Sequence, residues 1–205
     1  MSESKPAGTA DRHRFGRINR AMVIGGFSTF ALLYCVQPLM PALAHQFALS
    51  AAESSLALSV STGALAFSLL VSGALSDRLG RRPLMVGAML LGAVCSALSA
   101  FAQTYPQLLA LRGLLGLALG GVPAVAMAYL SEEIAGPSLG QAMGLYIAGS
   151  AFGGMVGRLG AALLADLGSW RLALALIGVA ALVAGGEFRR CLPPSRCFKP
   201  GQPGI

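Results

Sequence analysis

The chain has 205 residues, of which 55% are hydrophobic and 11% charged, with 27 glycines and a formal net charge of +7. Ordinary soluble domains carry about 25% charged residues, so this composition belongs to a polytopic membrane protein. A basic balance can mean nucleic acid, but here Lys and Arg sit at the ends of apolar runs and build no continuous patch. They orient the chain in a bilayer instead, and no nucleic-acid partner is expected.

Residues 1–18 are polar and basic, with Lys5, Arg12, Arg14 and Arg17, and show no apolar periodicity. They read as a disordered cytoplasmic tail. The first span follows, from about Asn19 to Leu43. Ala42-Leu43-Ala44 imitates a signal peptidase site, yet the run exceeds the about 7 to 15 residues of a signal h-region and more spans follow, so it is read as retained. Pro38 and Pro41 should bend or end this helix. Ser28, Thr29, Tyr34 and Gln37 give it a polar component that fits either cavity lining or helix packing.

His45 to Glu53 forms an outer loop without Lys or Arg. A second span from about Ser54 to Leu75 runs into Gly73-Ala74-Leu75-Ser76-Asp77-Arg78-Leu79-Gly80-Arg81-Arg82-Pro83, the most polar and tightly spaced stretch of the chain. It reads as a tight loop: Gly80 permits the backbone sign change of a short turn, and Pro83 suits the first turn of the next helix. Asp77 lies near the C-terminal end of its helix, where the macrodipole is already negative, and needs compensation. Span three is Leu84 to Ala102, Gln103 to Pro106 an uncharged outer turn, and span four about Gln107 to Leu130. An inner loop with Glu132, Glu133, Gly136 and Pro137 leads to span five, about Leu139 to Asp166, and span six, Trp170 to Ala184. The domain division is thus 1–18 tail, 19–186 membrane domain and 187–205 basic, Pro-rich tail.

Orientation follows from the basic residues. Lys5, Arg12, Arg14, Arg17 and Arg20, then Arg78, Arg81 and Arg82, then Arg189, Arg190, Arg196 and Lys199 fall on one side, and only Arg171 on the other. Both termini are therefore expected in the cytoplasm, although the loop between spans four and five carries no basic residue. Cys35 and Cys95 lie in apolar runs and Cys191 and Cys197 in the tail. A zinc site there would need further ligands, and His13 and His45 fall on opposite sides of the first span, so free thiols and no metal are expected.

Arg112, Gly116 and Gly120 recur every four residues on one face of span four. An intramembrane arginine is costly and faces a partner or a wet cavity, or else snorkels, since Arg112 is only about one and a half turns from the outer surface. Gly149, Gly153, Gly157, Ala161 and Ala165 make a small-residue stripe on span five that lets two helix backbones approach. Arg158 stands one residue off that stripe and requires a counter-charge, a carbonyl or water. No span contains a central acid, which disfavours a cation-binding site. Enzyme readings fail: no histidine lies in a span to serve a nucleophile such as Ser150, and H-E-x-x-H, a Walker loop and an intramembrane carboxylate dyad are absent from the sequence.

The spacing G-x-L-x-D-R-x-G-R-R, carried by Gly73, Asp77, Arg78, Gly80, Arg81 and Arg82, resembles the loop 2-3 signature of the major facilitator superfamily. The R-x-x-x-G of Arg112 and Gly116 resembles that family's fourth-helix motif, whose arginine is implicated in proton-linked transport. The glycines of span five are similar to the fifth-helix motif of its proton-driven exporters, except that Met155 replaces the proline of the Gly-Pro step. The resemblance runs from Asn19 to about Arg196 and matches the first half of the family fold.

It implies an all-α polytopic membrane protein, six transmembrane helices forming one half of a major facilitator fold as two inverted three-helix repeats. It also implies proton-linked export of a small molecule across the inner membrane, driven by the proton gradient without a cofactor. Arg112, Gly116, Arg158, Tyr34 and Gln37 would serve coupling or line the cavity. Arg81 should pair with Glu132, with Asp77 close enough to share the arginine. Expected partners are the bilayer, the substrate, and a missing C-terminal half or a second copy, the chain being a truncated product or a half-size protein. The rival reading is a non-transporting six-helix protein that acts by assembly with membrane partners.

Overall fold

The computed structural model describes residues 9–195 apart from 135 and 137. Lys5, Pro137, Arg196, Lys199 and the expected free thiol of Cys197 therefore lie outside the described residues. Among those described, all regular structure is helical: α1 (Thr9–Tyr34), a 3-10 turn (Gln37–Leu39), α2 (Met40–Phe47), α3 (Ala51–Leu79), α4 (Arg81–Ser99), α5 (Tyr105–Leu119), α6 (Pro123–Glu133), α7 (Ser138–Leu167) and α8 (Trp170–Cys191). Taking α1 with α2 and α5 with α6, six helical spans among the described residues are long and apolar enough to cross a bilayer.

Several boundaries move from those expected. Residues 9–18 of the supposed tail are helical, because Phe15 and Ile18 pack into the core and Arg14 and Arg17 find tertiary partners. The outer loop shrinks to residues 48–50: α2 runs on to Phe47, and Ser50 and Glu53 close a reciprocal capping box at the start of α3. Thr104 and Gln107 do the same for α5. The charged stretch is hardly a loop at all, since α3 continues to Leu79 and α4 begins at Arg81. Gly80 alone makes the turn, at φ 88° and ψ 146°, a region open essentially to glycine. Glu132 and Glu133 belong to α6 rather than to a loop. Span four is interrupted at residues 120–122, with Pro123 restarting the helix at a position where its missing N–H is harmless. Span six runs past Ala184 and past the expected domain boundary to Cys191, held there by an ion pair of Glu187 with Arg20 at 2.7 Å.

The packing is that of two repeats. The principal pairings are α1 with α7, α3 with α5 and α4 with α8, joined by α4 with α5 and α1 with α8. Exchanging spans one, two and three for four, five and six converts α1–α7 into α5–α3 and α1–α8 into α5–α4, and returns α4–α8 to itself. This is the signature of two inverted three-helix units in one bundle.

Small residues set the closest approaches. A Cβ at Gly153 would sit 2.1 Å from the Phe27 carbonyl oxygen, and one at Gly157 would sit 2.6 Å from the Ala31 Cα. Gly149 faces Val23, so the offset between the two chains stays constant and α1 and α7 run parallel. At the symmetry-related α3–α5 crossing a Cβ at Gly116 would sit 2.1 Å from the Ser61 carbonyl oxygen, and Gly120 meets Ser68. Buried serines line α3 on that side, and Ser68 Oγ donates to the Leu117 carbonyl at 2.6 Å. Van der Waals contact of this kind is the main force between helices in lipid.

Candidate membrane-embedded polar site

The break that Pro38 and the 3-10 turn impose on α1 organises the polar chemistry of the bundle. A helix leaves its last four carbonyls without intrahelical donors, and here that happens inside the apolar interior. Arg112 of α5 occupies the gap. Its side chain is fully buried, with Nη1 donating to the Leu32 carbonyl at 3.0 Å and Nη2 to the Leu33 carbonyl at 2.6 Å. Nε donates to Ser61 Oγ at 2.9 Å on α3. Arg112 thus neither snorkels nor lines a wet cavity: it caps the C-terminal end of α1, where a cation also meets the negative pole of the dipole. Gly116, one turn on, admits the α3 backbone and so keeps Ser61 within reach of the same guanidinium.

Arg158 of α7 reaches the other side of the break. Its Nε donates to Gln37 Oε1 at 2.6 Å, and its guanidinium carbon lies 4.2 Å from the centroid of the Tyr34 ring. Gln37 is the first residue of the 3-10 turn, so the same discontinuity that frees carbonyls for Arg112 presents an amide to Arg158. Tyr34 is half-buried and stacks on Phe30, with ring centroids 6.1 Å apart. The structure therefore brings Tyr34, Gln37 and Arg158 together and holds Arg112 with Gly116 apart from them, on the buried side. Ser28 and Thr29 are buried within α1, and Ser28 borders an apolar cavity of about 330 Å³ between α1, α7 and α8.

At the end of the bundle that carries the start of α1 and the end of α8, charges form a belt. Arg81 pairs with Glu132, and Arg14 pairs with the fully buried carboxylate of Glu133. Arg17 donates to the Arg190 carbonyl at 2.8 Å and Arg82 to the Arg189 carbonyl at 3.0 Å, closing the C-terminal turn of α8. Tyr129 donates to the Pro193 carbonyl at 2.8 Å.

Asp77 does not join the pair it was expected to share. It is exposed and in no ion pair among the described residues, because Ser72 and Ser76 define the buried face of α3 and the next residue points about 100° away. Arg78 is exposed beside it, and a Cβ at Gly73 would meet no other element within 4 Å. Arg14, Glu133, Glu187, Tyr129 and Ser61 were not among the sequence candidates. Only Glu133 carried a signal, an acid beside Glu132 at the end of an apolar run facing a basic N-terminus.

The Major Facilitator Superfamily profile matches residues 22–198. The chain is 48% identical over 187 residues to the Inner membrane transport protein YnfM of Escherichia coli, covering 91% of this chain and 45% of that protein. It is 30% identical over 185 residues to the Chloramphenicol resistance protein CraA of Acinetobacter baumannii, covering 89% of this chain and 44% of that protein. The chain thus spans about half the length of the curated relatives it matches. Among solved structures, a bacterial homolog to the human lysosomal transporter Spinster, inward-facing and unoccupied, superposes with a TM-score of 0.77 at 15% identity over 99% of this chain and 47% of its own. That likeness concerns the fold, while the profile and the sequence relatives bear on descent: the chain is a multi-pass membrane protein and belongs to the major facilitator superfamily.

Proposed function

We propose that this six-helix domain takes part in proton-linked export of a small molecule across the inner membrane, working against a second six-helix unit, with both of its ends in the cytoplasm. As a member of a transporter family it is no enzyme. The observation that carries the reading is the convergence of Arg112 and Arg158, from two different helices, on the break in α1. Intramembrane ionisable groups and interrupted helices gathered at one level are features of transport sites. Outward direction is supported by the relative named for chloramphenicol resistance and by the glycine crossing of α7 on α1. A guanidinium half-exposed on the bundle surface is costly against lipid, which supports a second unit or a wet cavity over that face.

The test is proton movement in proteoliposomes that hold the chain together with a complementing six-helix half, read by a pH-sensitive dye. A panel of aryl carboxylates, neutral phenicols and aryl ammonium compounds is added in turn. At least one compound should move protons saturably and lose that effect with a protonophore. If none does while the two halves remain associated, the transport reading is wrong.

A further inference from the structure

Apart from Arg78, Arg189 and Arg190, which are exposed, the arginines whose side chains are described divide by what they touch. Among the described residues Arg14, Arg20 and Arg81 meet glutamates. Arg17 and Arg82 meet carbonyls at the end of α8, Arg112 those at the end of α1, and Arg171 those of Ala100 and Ala102 just beyond α4. Among the same residues Arg158 meets no glutamate and no carbonyl of another helix. A neutral amide holds its Nε, an aromatic ring lies against its face, and a long 3.5 Å contact joins Nη1 to the Gly154 carbonyl of its own helix. Nη2 has no hydrogen-bond partner among the described residues.

This cation also sits deep. It precedes the end of α7 by nine residues, about 14 Å along the axis, on a helix long and apolar enough to cross a bilayer. Asp166 is the next acid along α7, eight residues or about 12 Å away. Beside Arg158 runs an aromatic track. Phe27, Phe30 and Tyr34 occupy one face of α1, and Phe152 of α7 meets Phe27 with ring centroids 6.0 Å apart while remaining 56% exposed.

From this arrangement we propose that Arg158 anchors a carboxylate-bearing organic anion whose ring or apolar body lies along Tyr34, Phe30, Phe27 and Phe152; the assignment rests on the transport reading above and gives its substrate class. Gln37 fixes the guanidinium plane through Nε, and the Nη edge, held only by the long contact of Nη1 to Gly154, offers the fork geometry that binds both oxygens of a carboxylate. Tyr34 adds a face against which an aryl substituent and the guanidinium both stack. Cationic substrates are repelled here, and among the described residues no cluster of His, Cys, Asp and Glu suits a metal ion.

The experiment measures binding to the whole chain in nanodiscs of phosphatidylcholine, which carries no net charge. Radiolabelled naphthalene-1-carboxylate is compared with the matching carboxamide and with 1-naphthylmethylammonium. The carboxylate should bind saturably and the other two should not. Arg158→Gln should weaken that binding about tenfold or more, Arg158→Lys should retain part of it, and Tyr34→Leu should weaken it while leaving helicity and the elution profile unchanged.

Equal binding of all three probes, or carboxylate binding that neither Arg158 variant alters, overturns the proposal. So does an Arg158→Gln chain that binds no less carboxylate but loses its association with a co-expressed second half, because the arginine then serves a protein acid. Should Arg158→Gln not fold, Arg158→Lys carries the comparison. Binding is read without transport, so the two readings fail separately. Proton movement with a compound of any class, but no carboxylate binding, removes this site alone; carboxylate binding without proton movement removes the transport reading alone.

Discussion

Arg112 and Asp77 show why one residue type can be legible in a sequence while its role is not. An arginine in an apolar run announces itself by its cost, but the groups that satisfy the two Nη atoms of Arg112 are main-chain carbonyls, and no side chain at Leu32 or Leu33 advertises them. For Asp77 the motif spacing was visible and the missing information was rotational, a single step of about 100° around α3. The pairing of Arg81 with Glu132 needed only opposite charges at the same end of two neighbouring spans, which the chain order supplies. Removing the guanidinium with Arg112→Ala leaves the buried Leu33 carbonyl unpaired and the Leu32 carbonyl with only the weak Cys35 thiol donor, so the melting transition in detergent should reflect a loss of about 2 to 4 kcal/mol. Arg112→Lys should recover little of it, since a point-charge ammonium does not reproduce a planar fork spanning two carbonyls. Full stability in Arg112→Lys would show that the charge, not the fork, matters.

At the scale of helices, the chain order and the spans themselves were readable from apolar runs, and the ends were not. Phe15 and Ile18 looked like members of a charged tail, and the capping boxes at Ser50 and Thr104 lay inside stretches taken for loops. The glycine stripe of α7 was readable as spacing, and the structure adds which positions are in contact. Gly153→Ala would drive a methyl into the α1 backbone, and separating the helices should cost about 1 to 3 kcal/mol. Gly160→Ala meets nothing within 4 Å and gains helix propensity, so it should melt at or slightly above the parent temperature. Equal effects from the two changes would show that the crossing is looser than the structure has it. Gly80→Ala should lose about 1 to 3 kcal/mol by backbone strain alone, read in the same melt.

Over the whole molecule, the two repeats meet with their ends tied by the charge belt, and the burial of each pair ranks its weight. Glu133 is fully covered while the Arg81 and Glu132 side chains keep 18% and 30% of their exposure. Glu133→Gln should therefore destabilise by about 2 kcal/mol, and Glu132→Gln by less than about 1 kcal/mol. The reverse order in urea titrations would mean that the belt is held through Arg81 instead. The belt also gathers the basic residues that govern insertion. Reporter fusions after Leu49 and after Gln103 should read outside and a fusion after Gly136 inside; an inside signal after Leu49 would invert the assignment.

The carbonyl seat of Arg112 has a genetic consequence. Because the acceptors of its Nη atoms belong to the main chain, no substitution at Leu32 or Leu33 removes them, and none there should mimic an Arg112 defect beyond the loss of packing. Second-site suppressors of Arg112→Ala should cluster instead where α1 is interrupted, at positions such as Pro38, whose replacement lets the helix run on and supply its own amide donors.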